Sequence, residues 1–426
     1  MDDKNGARAA RRSLGDWLAQ LFALPGAAFD YAVGKWNAMS ASHEMAEEAV
    51  PLRLSQASAA KLAAAWTKLG GSASVPLSGE ELVLAGRLRE ETAAANRNNV
   101  TRTEAYRQVY FRTPELHWAL LAHTVSRNGG WNMTDLQGEW LPRLLRSDQR
   151  EDVFLFLERA NAYIFQDAYP QLLLYERSKR LGRSLFHLLP ALGVSAFMQP
   201  VWRLFWRDRD PVPLTVALIV NEQHYIEERV VQHSYFRDKV LHTLFFGLQS
   251  LLQLNGVIMP YGAGRGQGAG GSPLRLAGLI MERFERLEER IEFGKRLYAV
   301  LFGIPRVREG VCRFAAAAPH TGSRADYAPD LFARVRRLPP GRPYAERLLG
   351  GRLKPGAEPL YSPELGAAWS DRPFPAPEPG DWFRSAEGVA PYFRKLPLPR
   401  QFEITNEYGL MLNKIELAVL AAQRRD

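Results

Sequence analysis

Three stretches gather side chains able to bind a ligand or do chemistry. The first, HWALLAHTVSRNGGWNMTDL from His117 to Leu136, sets Arg127, Asn128, Trp131 and Asn132 around Gly129-Gly130. Guanidinium and amide groups crowded at one turn beside a large aromatic suit a polar or anionic ligand. The second, NEQHYIEERVVQH, carries Glu222, His224, Glu227, Glu228 and His233. On a helix His224 and Glu228 stand one turn apart, and imidazole with carboxylate is ordinary zinc or iron ligation. Di-iron bundles, however, use Glu-x-x-His on two helices, and this chain shows no such repeat and no HExxH. A salt-bridged helix face accounts for these residues, so no metal or other cofactor is expected. The third stretch, PHTGSRADY, strings His320, Thr321, Ser323, Arg324 and Asp326 along a short loop. Such loops carry function or cap helices.

Other patterns are weaker. YGAGRGQGAGGSP contains GxGxxG at Gly266, Gly268 and Gly271. A dinucleotide site needs a strand before those glycines and a βαβ setting around them. Val257-Ile258-Met259 makes a poor strand and no Walker lysine follows, which leaves a flexible loop. His117 and His123 fall on different faces of a helix and read as satisfied core histidines. The single cysteine, Cys312, excludes an intrachain disulfide and a cysteine-based metal cluster. No Gly-x-Ser-x-Gly occurs.

Helices must position these residues. From Leu52 to Phe302 the apolar spacing is helical, and strand signals are nearly absent. Thr101-Arg102-Thr103-Glu104 has the form of a capping box, Thr113-Pro114-Glu115 and Thr134-Asp135-Leu136-Gln137 mark two further starts, and Asn128-Gly129-Gly130 can end the helix between them. Glu151 to Phe165 and Ala168 to Arg180 are expected as two helices parted near Asp167 to Pro170. Leu214 to His242 and Leu274 to Phe302 are each expected as one long helix. Ser184 to Trp202, nineteen residues without Lys, Arg, Asp or Glu, is long enough to span a bilayer. Its two prolines, His187 and Gln199 instead favour buried core helix, and no integral membrane span is expected. Near the N-terminus Leu14, Trp17, Leu18, Leu21 and Phe22 recur at amphipathic spacing, with Asp16 arguing against an export signal.

The fold class expected is all-α: a multi-helix body with a proline- and aromatic-rich C-terminal wrapping segment and a terminal docking helix. Thirteen of the 28 prolines lie between Pro339 and Pro399, among Tyr361, Trp369, Phe374, Trp382, Phe383, Tyr392 and Phe393. That density excludes helix interiors, and the aromatics argue that the segment is pinned to the body. Divided along the chain, residues 1–50 form an amphipathic segment, 51–302 the helical core, 303–345 a polar loop and short helices, 346–404 the wrapping segment and 405–426 the last helix.

The 426 residues are 46% hydrophobic and 24% charged, which excludes wholesale disorder. The net charge is +9, and Leu301 to Arg400 holds sixteen Lys and Arg against ten Asp and Glu. A basic region of this kind suits nucleic acid or an anionic membrane surface, or reflects arginine stems covering apolar surface.

The runs RNNVTRTEAYRQVYFRTPELHWALLAHTVSRNGGWNMTDL, LTVALIVNEQHYIEERVV and PHTGSRADY together resemble a bacterial family, domain of unknown function 2515. The likeness runs from about Asn96 to the final helix. It implies a bacterial, cytoplasmic protein and brings no activity, ligand or catalytic residue with it. Two function classes follow from the residues themselves. One is a non-catalytic interaction protein whose basic Pro/Arg region meets nucleic acid or another protein. The other is an enzyme or binding protein for a polar or anionic ligand, its pocket formed by Arg127, Asn128, Trp131, Asn132, Glu222, His224, Glu228, His320 and Arg324.

Overall fold

The innermost helix is apolar on every side. Pro211–Ile226 buries every residue from Val212 to Asn221, as a helix must when neighbours cover its whole circumference. Asp210 starts it by accepting a hydrogen bond from the Val212 N–H, with Pro211 at the first helical position, where its missing N–H costs nothing. The computed structural model describes residues 25–69, 76–241, 256–262, 274–281, 283–339 and 341–423. In chain order its longer helices are α1 (Pro25–Glu47), α2 (Gln56–Thr67), α3 (Gly79–Ala95), α4 (Asn99–Arg112), α5 (His117–Asp135) and α6 (Ser147–Leu181). They continue with α7 (Met198–Asp208), α8 (Pro211–Ile226), α9 (Leu287–Gly303), α10 (Pro305–Ala317) and α11 (Thr405–Gln423). The fold is mostly α. Central α8 packs against α5, α6, α7 and α9.

Several boundaries differ from those the sequence predicts. Helix α4 starts three residues early, because Asn98 caps it: its side chain accepts from the Thr101 N–H while the Thr101 hydroxyl accepts from the Asn98 N–H. Thr113 ends α4 and gives its hydroxyl to Glu176 on α6. Helix α5 then runs unbroken through Asn128-Gly129-Gly130, so the expected stop there does not exist. Helix α6 is likewise one helix with Pro170 inside it, although the Gln166 carbonyl loses its usual N–H partner. The long helix expected from Leu214 ends at Ile226 and passes through a π turn, Glu227–Val231, into a bend at Gln232 and His233.

The other correction is a hairpin. β1 (Gly256–Gly262) and β2 (Arg275–Ile280) pair antiparallel, Ile258 opposite Gly278, where a helix was expected from Leu274. Tertiary partners make strands of these short apolar runs. Gly310 of α10 lies so close on the Tyr261 backbone that a Cβ there would overlap the Tyr261 carbonyl. On the other edge, the Gly278 N–H donates to the Phe402 carbonyl and the Ile404 N–H to the Leu276 carbonyl. The GxGxxG glycines and the amphipathic residues Leu14 to Phe22 lie outside the described residues.

The uncharged tract Ser184 to Trp202 forms two 3-10 turns and the first turn of α7, with Phe186, Leu188, Leu189, Phe197, Met198 and Trp202 buried. Among the described residues, no helix is long and apolar enough to cross a membrane. Further on, Trp369 stacks on Phe154 and donates its indole N–H to the Met133 carbonyl. Trp382 stacks on His224 and donates to Asn221. Helix α11 buries Tyr408, Met411, Ile415 and Val419.

Candidate functional site

Continuous helix α5 presents two faces. At spacings of three and four, Trp118, Leu121, Ala122, Val125, Asn128, Gly129 and Asn132 line one side of it. That side bounds a cavity of about 210 Å³, completed by α6, α8, α9 and the start of β1. Its walls are apolar and aromatic, with Tyr106, Trp118, Phe156, Phe284 and Phe293 among them. A dry cavity of roughly 150 Å³ holds benzene, so this one has room for a body of one or two rings.

Few polar groups reach the cavity, and most are committed elsewhere. The Asn128 amide pairs with β1 as a strand would, donating to the Ile258 carbonyl and accepting the Ile258 N–H. Asn132 accepts from Arg324. The buried Arg290 guanidinium donates to Glu227, to Gln223 Oε1 at 2.9 Å and to the Phe284 carbonyl at 2.8 Å. Glu222 differs from these. Among the described residues its carboxyl accepts from the Trp118 indole at 3.1 Å and the Gln223 amide at 3.3 Å, both neutral. Burial pushes it up to about 8, the two hydrogen bonds oppose the rise and nearby Asp167 adds to it. Glu222 is therefore largely protonated at neutral pH. The Tyr106 hydroxyl, also deeply buried, has no partner among the described residues.

The opposite face of α5 belongs to a different assembly. There the Arg127 guanidinium donates to the Ala318 and Pro319 carbonyls and lies 4.3 Å from the Phe314 ring centroid. His320 Nε2 meets Asn99 Oδ1 at 2.8 Å, Asn99 in turn donates to the Ser126 carbonyl, and burial lowers the imidazole to about 4. Gly130 permits this crossing, since a Cβ would overlap both Asn99 Oδ1 and the His320 ring. Trp131 packs on Tyr327 at 4.5 Å, and Arg324 pairs with Asp135 at 2.6 Å. These groups fasten the PHTGSRADY loop to α4 and α5.

The nine residues proposed from sequence thus divide into three sets. Asn128, Asn132 and Glu222 border the cavity; Arg127, Trp131, His320 and Arg324 lie on the other side of α5. His224 lies face to face with Trp382, lowered to about 4 by burial, and Glu228 is exposed. Sequence reasoning passed over Tyr106, Trp118, Gln223 and Arg290. The signal for Trp118 was present: it is 14 residues before Asn132 on the same stripe, which shows only when α5 is read as unbroken. Arginines of the basic quarter are largely tied within the chain, Arg334 to Asp326, Arg336 and Arg347 to Glu139, Arg337 to Glu358 and Arg372 to Glu151.

A family model described as "Protein of unknown function (DUF2515)" matches residues 94–410. That stretch contains every residue lining the cavity. The uncharacterized protein YppC of Bacillus subtilis (strain 168) is 38% identical over 327 residues, which cover 76% of this chain and 91% of that protein. No solved structure matches.

Proposed function

The chain belongs to the DUF2515 family, whose description carries no activity, and from the site itself we propose that it binds a small, mainly apolar molecule between α5, α6, α8 and α9. The observation that supports this reading is the cavity: ring-lined walls with one half-buried carboxyl, that of Glu222, whose hydrogen-bond partners among the described residues are neutral. Small-molecule sites have this make-up, apolar surface for affinity and a few polar groups for orientation. The ligand chemistry differs from the polar or anionic class expected from sequence, because the arginines meant to hold an anion are engaged elsewhere. Indole, a neutral two-ring probe, is expected to bind saturably to the full-length protein. Ala160→Phe, which fills the cavity from α6, should weaken it at least about tenfold. Absence of saturable binding, or binding indifferent to a folded Ala160→Phe variant, defeats the reading.

A partner surface is a second reading, favoured by the exposed Arg394, Lys395 and Arg400 close together in sequence. Retention of DNA or RNA is then expected to fall steeply with added salt, as counterion release demands. Salt-independent retention, or none, removes it.

A further inference from the structure

Resting on the cavity reading above, we propose that the ligand is an organic cation, an amine carried on a body of one or two rings, whose ammonium pairs with Glu222. Three features of the wall lead there. The Glu222 carboxyl lies half-buried on the cavity wall, and its hydrogen-bond partners among the described residues are neutral, Trp118 Nε1 and Gln223 Nε2. Ionising a carboxyl on such a wall without a counterion is costly, and a cation delivered by a ligand offsets that cost. Arg290, the guanidinium on this wall, is held by Glu227, Gln223 and the Phe284 carbonyl, so an anionic ligand would meet Glu222 and no spare positive charge. Aromatic side chains, Tyr106, Trp118, Phe156, Phe284 and Phe293, complete the wall, and aromatic rings attract a cation through their quadrupole.

The proton balance follows from the groups facing Glu222. These are Tyr106 from α4 and Asp167 from α6; Arg290 from α9 lines the same cavity and is paired with Glu227 beyond the end of α8. Burial holds Asp167 up at about 7 and Glu222 at about 8, so neither supplies a fixed charge at slightly acid pH. As an ammonium enters with all its protons, Glu222 releases its own to solvent. Binding below pH 8 is therefore coupled to proton release, and amine affinity rises with pH toward that point.

Benzylamine, benzyl alcohol and benzoate, one ring with three charges, separate the alternatives by calorimetry on the full-length protein at pH 6, 7 and 8. The expected result is benzylamine at least about tenfold tighter than benzyl alcohol at pH 8, weakening toward pH 6 while the alcohol does not change. In Glu222→Gln the ratio of the two affinities should fall to near one. Equal binding of amine and alcohol, tighter binding of benzoate, or an amine preference that survives Glu222→Gln overturns the cation assignment and leaves the cavity reading standing. No binding of any of the three overturns both. If Glu222→Gln does not fold, the pH profile of the unmodified protein decides: an amine affinity flat from pH 6 to 8 overturns the assignment.

Discussion

Glu158→Gln is expected to destabilise the protein by about 3–5 kcal/mol, the cost of leaving a buried charge unpaired. Glu158 on α6 meets the Arg102 guanidinium of α4 at 2.5 Å, and the two side chains are 2% and 1% exposed. Arg102 also donates to the Asn96 side chain at 3.1 Å, but its Nε and the second Glu158 oxygen have no hydrogen bond among the described residues. The glutamine keeps shape and removes charge, so the loss isolates electrostatics from packing. The double variant Arg102→Met/Glu158→Leu replaces both charges with apolar groups and should recover most of the loss. Denaturant unfolding of the three variants checks this. A single variant within 1 kcal/mol of the parent, or a double variant no better than the single, contradicts it.

Gly130→Ala should cost about 3 kcal/mol, and its neighbour Gly129→Ala almost nothing. At Gly130 the new methyl overlaps Asn99 and His320, which are buried and bonded to one another, so neither can move without breaking that bond. Overpacking of this kind costs about 1–3 kcal/mol and the lost hydrogen bond adds to it. At Gly129 the nearest atom is Asn161 Nδ2 at 3.2 Å, a side-chain end that can give by a few tenths of an ångström. Alanine's helix preference, about 0.5–1 kcal/mol over glycine, then offsets the crowding. Thermal unfolding of the pair is the measurement. Equal effects at the two positions would show that the crossing at Gly130 is not tight.

This pair of glycines also shows how far the sequence can be read. Gly129-Gly130 looks like a helix stop because glycine ends helices when only the local chain is considered. Here the helix runs on through both, and Gly130 serves the close approach of a segment at residue 320, a distance no local pattern encodes. Pro170 misleads in the same way: burial of Ala168, Tyr169, Leu172 and Leu173 around it outweighs one missing hydrogen bond. Val257-Ile258-Met259 becomes a strand only because β2, α10 and the Asn128 amide supply its partners. By contrast, the apolar spacing of α4, α8 and α11 and the burial of Ser184 to Trp202 were legible, since composition alone decides which surfaces leave water. Of the cavity, Glu222, Asn128 and Asn132 could be named from sequence. Their common address could not, because it is made by helices that meet only in the finished fold.

Helix α5 is at once the wall of the cavity and the post to which the residue 320 loop is fastened. A molecule lodged against one side thus supports everything attached to the other. At a hundred times its dissociation constant it contributes about 2.7 kcal/mol, close to what the Gly130 substitution removes. Were the proposed ligand a metabolite, cellular abundance of the protein would be expected to follow its supply, since unoccupied copies are the ones proteases reach first. A crippled variant restored to normal levels by one growth medium and not by another would thereby point to what it binds.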